Sequence, residues 1–154
     1  MLITLFTLCG RFRHLFSFIE YINIMSVPKK TIISYFQSRD HFIRLLEKNP
    51  GLVIIKMGAS WCGPCKRIKP IVDAFFASSP DNVICCEIDV DESFDLYSYF
   101  KSKRMVNGVP VILCYKKGNT GYIPDDSITG ADPNDLDAFF KRCGLHLLAT
   151  RVKK

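Results

Sequence analysis

The chain has 154 residues, 48% of them hydrophobic and 23% charged, which predicts one compact domain with a buried core and excludes disordered, collagen-like and low-complexity chains. Most of its net charge of +6 lies in the first 61 residues, and the short basic clusters at 101–104 and 116–117 are too small to predict a nucleic-acid-binding face. Seven cysteines are an odd number, so a fully paired disulfide framework is excluded and a reducing compartment is favoured.

The first 24 residues differ from the rest of the chain. Residues 1–10 are mostly apolar, but Arg11 and Arg13 end this run at about half the length that a membrane-spanning helix needs. A secretory signal would carry its positive charge before the apolar run and end at a small-residue cleavage site, neither of which is seen. The segment also has an amphipathic pattern, so weak membrane contact and an organelle presequence are alternatives, as is translation from Met25.

Beyond this segment, extended and helical patterns alternate. A short strand is predicted at 31–36 and a helix at 39–48, which Ser38 is placed to cap. The next apolar run, 52–57, is nearly continuous, as is typical of a strand that is covered on both faces. Helical spacing then returns at 61–79.

The second half of the chain continues the alternation and ends with a hairpin. A strand at 82–88 precedes a helix at 92–101, and strands at 110–116 and 121–129 flank a turn-rich segment that predicts antiparallel pairing. A last helix is predicted to end at Gly144. Because strands separated by helices pair in parallel, the fold class is α/β, with one mixed five-stranded sheet flanked by four helices.

The domain boundaries follow from these patterns. The regular elements lie within residues 29–148, which we predict to form a single domain. Residues 1–28 are then an N-terminal extension that is unstructured or absent from the mature protein, and residues 149–154 are a short basic tail.

The stretch most informative about chemistry lies where the second predicted strand ends and the second predicted helix begins. It reads Trp61-Cys62-Gly63-Pro64-Cys65-Lys66. Unpaired N–H groups and the helix dipole stabilise negative charge at a helix N-terminus, so Cys62 is expected to form its thiolate readily. Cys65 comes round to the same face about one turn later, within bonding reach of Cys62.

Two other interpretations of the cysteine pair fit the residues less well. Half of a zinc site would need two further ligands, and no second cysteine pair or nearby histidine follows at the required spacing. Two cysteines that merely pack in the core would not explain the tryptophan before them, the Gly-Pro between them and the lysine after them. We therefore expect no metal and a redox-active dithiol.

The six-residue motif resembles the active-site signature of the thioredoxin family. Further segments extend the resemblance over about residues 30–145: Ile68-Lys69-Pro70, residues 87–91, Gly108-Val109-Pro110-Val111, Lys117-Gly118 and Gly130. The resemblance implies the thioredoxin fold for this domain.

The resemblance also implies a redox cycle. Cys62 is the nucleophile that attacks a substrate disulfide, and Cys65 resolves the mixed disulfide, which leaves a Cys62–Cys65 disulfide. Pro110 is then expected in the cis form beside Cys62, and the backbone of Val109 is expected to pair with the substrate like an added strand. The implied substrate-binding residues are Trp61, Gly63, Pro64, Val109 and Pro110.

One position departs from the family pattern. Thioredoxins usually carry a buried aspartate six residues before the first cysteine, where this chain has Lys56. A buried carboxylate raises the pKa of a nearby thiol, whereas a buried ammonium lowers it. Lys56 is therefore predicted to modulate Cys65, either as a cation or, after losing its proton, as a base. In the alternative interpretation, the aliphatic part of the Lys56 side chain packs against apolar neighbours and its ammonium reaches water or an acidic partner such as Glu87.

These features together predict a protein-disulfide reductase. Gly63-Pro64 is the thioredoxin choice, whereas protein disulfide isomerases usually have Gly-His there, and a histidine would make the disulfide more oxidising. The alternatives are an oxidase or isomerase in a secretory compartment and a thioredoxin-fold binding module with little turnover. Insulin-disulfide reduction separates the last of these from an enzyme.

The resemblance further implies that the protein needs no cofactor and takes electrons from a thioredoxin reductase or another dithiol donor. Its expected partners are this reductase and disulfide-containing proteins, and nucleic acid is not among them. We expect a monomer in the cytoplasm. The alternative is an organelle or a membrane, reached through residues 1–24.

The remaining cysteines are predicted to pack. Cys85 and Cys86 are expected on opposite faces of a strand, with a vicinal disulfide or a regulatory thiol as the alternative. Cys114 and Cys143 are likewise expected to be small buried side chains. Cys9 lies in the extension and carries no prediction.

Overall fold

The computed structural model describes residues 30–152, so the predictions made for residues 1–28 fall outside the described residues. The strands are β1 (Ile32–Ile33), β2 (Leu52–Gly58), β3 (Val83–Asp89), β4 (Val111–Lys116) and β5 (Asp126–Thr129). The helices are α1 (Arg39–Glu47), α2 (Gly63–Ser78), α3 (Phe94–Ser102) and α4 (Pro133–Val152). Within residues 30–152, no helix combines the length and the apolarity that crossing a bilayer requires.

The five strands form one mixed sheet in the order β1-β3-β2-β4-β5. β1 and β2 both run parallel to β3, whereas β4 is antiparallel to β2 and to β5. This confirms the predicted α/β class and the closing hairpin. Because β4 runs against β2, the end of β2 and the start of β4 meet at one edge of the sheet, where Met57 lies opposite Val111.

Alternating side chains of the central strand β2 serve two separate hydrophobic cores. Val53, Ile55 and Met57 belong to the core that contains Phe42 of α1 and Phe100 of α3. Side chains of the opposite parity belong to a second core with residues of α2 and α4: Leu52, Ile54, Ile68, Val72, Leu136 and Phe139. Each fully buried apolar side chain contributes about 1.5–3 kcal/mol, so both faces of the sheet anchor helices.

Local signals set most element boundaries. The hydroxyl of Ser38 accepts the N–H of His41 at 3.1 Å, which confirms the predicted cap of α1. The second helix begins at Gly63 rather than Trp61, because Cys62 occupies the N-cap position. The first strand is only two residues long, since Phe36 already turns into the core and its N–H donates to the Ser93 hydroxyl at 3.3 Å.

The closing hairpin also differs from the prediction. β5 begins at Asp126, five residues later than predicted. The reason is the side chain of Asp125, whose carboxylate accepts the N–H of Lys116 at 2.8 Å and the side-chain amide of Asn119 at 2.8 Å. A side chain thus takes the backbone donor of Lys116 that a longer strand ladder would use.

The prediction that the last helix ends at Gly144 is wrong. α4 continues through Gly144 to Val152, so residues 149–152 of the predicted tail belong to a helix. Cys143 and Leu147 lie one turn apart and both pack in the second core. The apolar face therefore continues past the glycine. Its packing outweighs the cost of placing glycine inside a helix, which is about 1 kcal/mol relative to alanine.

Candidate active site

The site is built around a disulfide at the N-terminus of α2. Cys62 is the N-cap residue of this helix, and Cys65 lies in its first turn. The two sulfurs are bonded, with Cα atoms 5.3 Å apart, as the spacing predicts. The Cys62 sulfur also accepts the backbone N–H of Cys65 at 3.2 Å, so it acts as the helix cap.

This position determines the chemistry of Cys62. A sulfur that already accepts a helix N–H in the disulfide has that donor aimed at it when it becomes a thiolate. The first turn of α2 contains no acidic residue that would oppose the negative charge. The arrangement therefore favours a nucleophilic Cys62 thiolate after reduction.

Trp61 forms an exposed but anchored surface beside the disulfide. Its side chain is 67% exposed, and its Nε1–H donates to Asp91 at 2.9 Å. Asp91 follows β3 and its own N–H donates to Asp89 at 2.9 Å, so the loop after β3 holds the indole. Gly63, on the other side of Cys62, has open space where a side chain would be.

Pro110 completes this edge of the sheet. The Val109–Pro110 peptide bond is cis, which confirms the prediction. Pro110 directly precedes β4, whose first residue lies opposite Met57 near the end of β2. Its carbonyl accepts the N–H of Gly130 at 2.9 Å. The cis-proline segment and the cysteine motif are therefore at the same end of the sheet.

Lys56 is almost completely buried, at 5% exposure. Its ammonium binds Glu87, directly across the sheet on β3, at 2.5 Å. Glu87 is thus the acidic partner that the sequence suggested. The other oxygen of Glu87 accepts from Lys69 of α2 at 3.1 Å, and Lys69 also binds Asp73 at 3.0 Å.

This charge network favours the ionised forms of Glu87 and Lys69. Burial raises the pKa of the Glu87 carboxyl, but the hydrogen bonds and charges of Lys56 and Lys69 outweigh burial and hold the pKa below its ordinary value. The hydrogen bond to Asp73, supported by Glu87, raises the pKa of Lys69 although burial opposes it. Glu87 is therefore a carboxylate that connects a buried lysine to a surface lysine.

Gly58 brings Lys56 and Cys65 to the same place. A Cβ atom on Gly58 would lie 3.3 Å from the Cys65 sulfur and 3.6 Å from Cε of Lys56. Sequence reasoning did not single out Gly58, although a glycine that ends an apolar strand often marks a close backbone approach. It included Asp91 and Lys69 only in the family resemblance and did not predict their contacts with Trp61 and Glu87, which join separate elements.

The other described cysteines lie away from this site. Cys85 and Cys86 belong to opposite cores, as the strand pattern predicts. Cys114 and Cys143 share the second core, and none of the four forms a disulfide. Among residues 30–152, no three His, Cys, Asp or Glu side chains are grouped so that they could hold a metal ion.

Comparisons with known proteins agree with this geometry. The thioredoxin family model matches residues 34–142. Thioredoxin-1 of Caenorhabditis elegans is 36% identical over 91 residues, which cover 58% of this chain and 73% of the nematode protein. Mitochondrial thioredoxin of Mus musculus is 30% identical over 90 residues, 58% of this chain and 50% of the mouse protein, so the matched region spans half of that relative.

A solved structure gives the same result at the level of the fold. Mitochondrial thioredoxin 3 from Saccharomyces cerevisiae, in its oxidised form, is 29% identical and superposes with a TM-score of 0.57, covering 71% of this chain and 94% of the yeast chain. The region that the family model matches contains the cysteine motif, the buried Lys56 and the cis-proline. The chain therefore belongs to the thioredoxin family of protein thiol–disulfide oxidoreductases.

Proposed function

We propose that this protein works as a reductant of protein disulfides, with Cys62 and Cys65 as its redox pair. The observation that carries the proposal is the position of the Cys62 sulfur, which caps α2 and is bonded to Cys65. Membership of the family sets the reaction class. The Gly63-Pro64 sequence between the cysteines supports the reducing direction, because it lacks the histidine that makes such disulfides more oxidising.

The proposed cycle transfers two electrons to the substrate. The Cys62 thiolate attacks one sulfur of a substrate disulfide, which forms a mixed disulfide and releases the other substrate sulfur as a thiolate. Cys65 loses its proton and attacks the Cys62 sulfur. This step releases the second substrate thiol and restores the Cys62–Cys65 disulfide. A thioredoxin reductase or another dithiol donor then returns two electrons.

The substrate is proposed to dock on the surface around the cysteine motif. Trp61 offers an anchored aromatic face, and Gly63 leaves the approach to Cys62 open. Pro64 shapes the first turn of α2. The backbone of Val109, before Pro110, is placed at the same edge of the sheet and would pair with the extended chain that carries the substrate disulfide.

Lys56 is proposed to act on Cys65 as a cation. Its salt bridge with Glu87 uses the ammonium form, which favours this role over that of a base. A buried ammonium close to the Cys65 sulfur stabilises the thiolate that resolution requires. Glu87 limits the effect, because its negative charge lies against the same ammonium.

The role of Lys56 is tested by titrating both thiols in Lys56→Met and Lys56→Asp. We expect a higher pKa for Cys65 in both variants, and a larger rise in Lys56→Asp, because a carboxylate opposes the thiolate. Unchanged thiol titrations in both variants would exclude the electrostatic role.

The proposed direction is tested by insulin-disulfide reduction with dithiothreitol and, separately, with a thioredoxin reductase and its nicotinamide donor. Cys62→Ser is expected to reduce the rate to background. A reduction potential near that of thioredoxin, about −270 mV, supports a reductant, whereas a value of about −180 mV or higher would support the oxidase or isomerase alternative. A Cys62-independent rate would contradict the assignment of the nucleophile.

We place the protein in a reducing compartment, with the cytoplasm as the proposed location. None of the four described cysteines outside the motif forms a disulfide, which fits such a compartment. Mitochondrial relatives make an organelle the alternative. Cell fractionation of the full chain tests this, and recovery from the secretory pathway would contradict it.

A further inference from the structure

A second cysteine pair lies between the last helix and the sheet. Cys114 is in β4 and Cys143 is in α4, and their side chains are 2% and 3% exposed. Both belong to the second hydrophobic core, on the other side of the sheet from the core that includes Cys62 and Cys65. Each thiol shifts the pKa of the other.

An ion pair holds the neighbouring residues of these two cysteines together. Asp126 of β5 lies directly opposite Cys114 in the sheet. Its carboxylate accepts two bonds from Arg142, the residue before Cys143, at 2.7 and 3.1 Å. Because a bidentate pair is directional, it holds the turn of α4 that begins at Arg142 over β5. The turn of α4 that contains Cys143 is therefore held over the part of the sheet that contains Cys114.

The two thiols have different roles within the pair. The interaction with Cys114 lowers the pKa of Cys143, although burial opposes it, and the same interaction, together with burial, raises the pKa of Cys114. Cys86, which is also free and buried, shows the contrast: burial, followed by the charge of Cys85, raises its pKa strongly. Cys143 is thus the thiol of the pair that forms a thiolate more readily.

We propose that Cys114 and Cys143 are a second redox pair, which a hydroperoxide converts into a disulfide that links α4 to β4. The Cys143 thiolate attacks the peroxide oxygen and becomes a sulfenic acid, while the peroxide leaves as an alcohol or, for hydrogen peroxide, as water. Cys114 then attacks the sulfenic sulfur, which forms the disulfide and releases water. Two thiols lose two electrons and the peroxide gains them.

Burial makes this reaction slower than oxidation of the active-site pair. A peroxide reaches Cys143 only when α4 opens locally. For the second step Cys114 is close at hand, because it packs in the same core as Cys143. The disulfide would fasten the last helix to the sheet. The pair is therefore suited to respond to sustained oxidation while Cys62 and Cys65 serve each turnover.

The test uses the full-length Cys62→Ser/Cys65→Ser variant, so its result does not depend on the proposed reductase function. The protein is treated with hydrogen peroxide, its free thiols are alkylated, and it is digested with trypsin without reductant. Cleavage after lysine and arginine places Cys114 in residues 105–116, Cys143 in residues 143–151, and Cys85 and Cys86 in a third peptide.

We expect peptides 105–116 and 143–151 to be joined, lighter by two hydrogens than their sum, and to separate on reduction. The oxidised protein is also expected to melt at a higher temperature than the reduced protein. This difference should vanish in Cys143→Ala and persist in the control Cys86→Ala. Cys114→Ala replaces Cys143→Ala if the latter does not fold.

Two results would overturn the proposal. One is that both cysteines are recovered as alkylated thiols after prolonged peroxide treatment. The other is that Cys143 is oxidised to sulfinic acid while Cys114 is still a free thiol, which would mean that the second sulfur is not placed to form the bond.

Discussion

The two cysteine pairs of this protein are constructed in opposite ways. Cys62 and Cys65 are three residues apart, at a helix N-terminus and beside the exposed Trp61. Cys114 and Cys143 come from distant parts of the chain and meet inside the core. The first pair depends on local backbone geometry and the second on tertiary packing. The difference separates a thiol built for rapid exchange from one that reacts only when the structure opens.

The largest expected effect is on disulfide-reducing activity, which should depend on the first cysteine pair and not on the second. Cys65→Ser leaves the Cys62 nucleophile without a resolving thiol, so the mixed disulfide accumulates and insulin reduction falls by about 100-fold or more. The matched change Cys114→Ser is expected to leave the rate within about twofold. Steady-state insulin assays and electrophoresis without reductant measure both. A large loss in Cys114→Ser with intact folding would mean that the second pair takes part in turnover.

The next effect concerns the charges that accompany the first pair. Glu87→Gln leaves the buried Lys56 ammonium without its counter-charge, and we expect a loss of about 2 kcal/mol in the free energy of unfolding at neutral pH, less than for a fully buried pair because Glu87 is partly exposed. Lys56→Met/Glu87→Gln, which removes both charges, should recover most of it. Urea unfolding measures the three variants. If the double variant is as unstable as Glu87→Gln, the loss does not come from the unpaired ammonium.

The same pair predicts a pH dependence. The pKa of Glu87 is held below its ordinary value of 4.5, so its contribution to stability is complete above that pH and is lost as the pH falls through the lower, folded-state pKa. The stability difference between wild type and Glu87→Gln should therefore be constant near neutral pH and shrink in acid. If the stability difference grows in acid, the pKa of Glu87 is raised rather than lowered in the folded protein.

The smallest expected effect concerns the helix that carries Cys143. Gly144 is inside α4 with open space around it, so Gly144→Ala should stabilise the protein by about 0.5–1 kcal/mol. Gly130, which has a φ of +112°, is the matched control, because alanine is strained there and should destabilise by about 1 kcal/mol. Thermal unfolding compares them. Destabilisation by Gly144→Ala would support a helix end at that glycine.

Sequence patterns were sufficient where the determining signal is local. The order of strands and helices, the Ser38 cap and the cysteine motif depend on residues within a few positions of one another. Glu87 could be suggested as the partner of Lys56 because both lie on predicted neighbouring strands. The early start predicted for β5 was wrong because a single side chain, Asp125, takes the backbone donor of Lys116.

The features that sequence patterns did not reveal all require contacts between distant segments. The bond from Trp61 to Asp91 joins two loops. The placement of Cys114 and Cys143 in one core depends on how α4 crosses the sheet, and the register of a helix on a sheet cannot be obtained from its own periodicity. Packing also explains why α4 continues through Gly144, since Leu147 continues the buried face beyond it.

Trp61 has a practical consequence. It is the only tryptophan in the chain, it precedes Cys62, and its indole is tethered to Asp91 rather than free to rotate. Its fluorescence therefore comes from a single, oriented emitter next to the reacting sulfurs. Opening and closing of the first disulfide can be followed in real time by this emission without an added dye, while events at the distant core cysteines leave it unchanged.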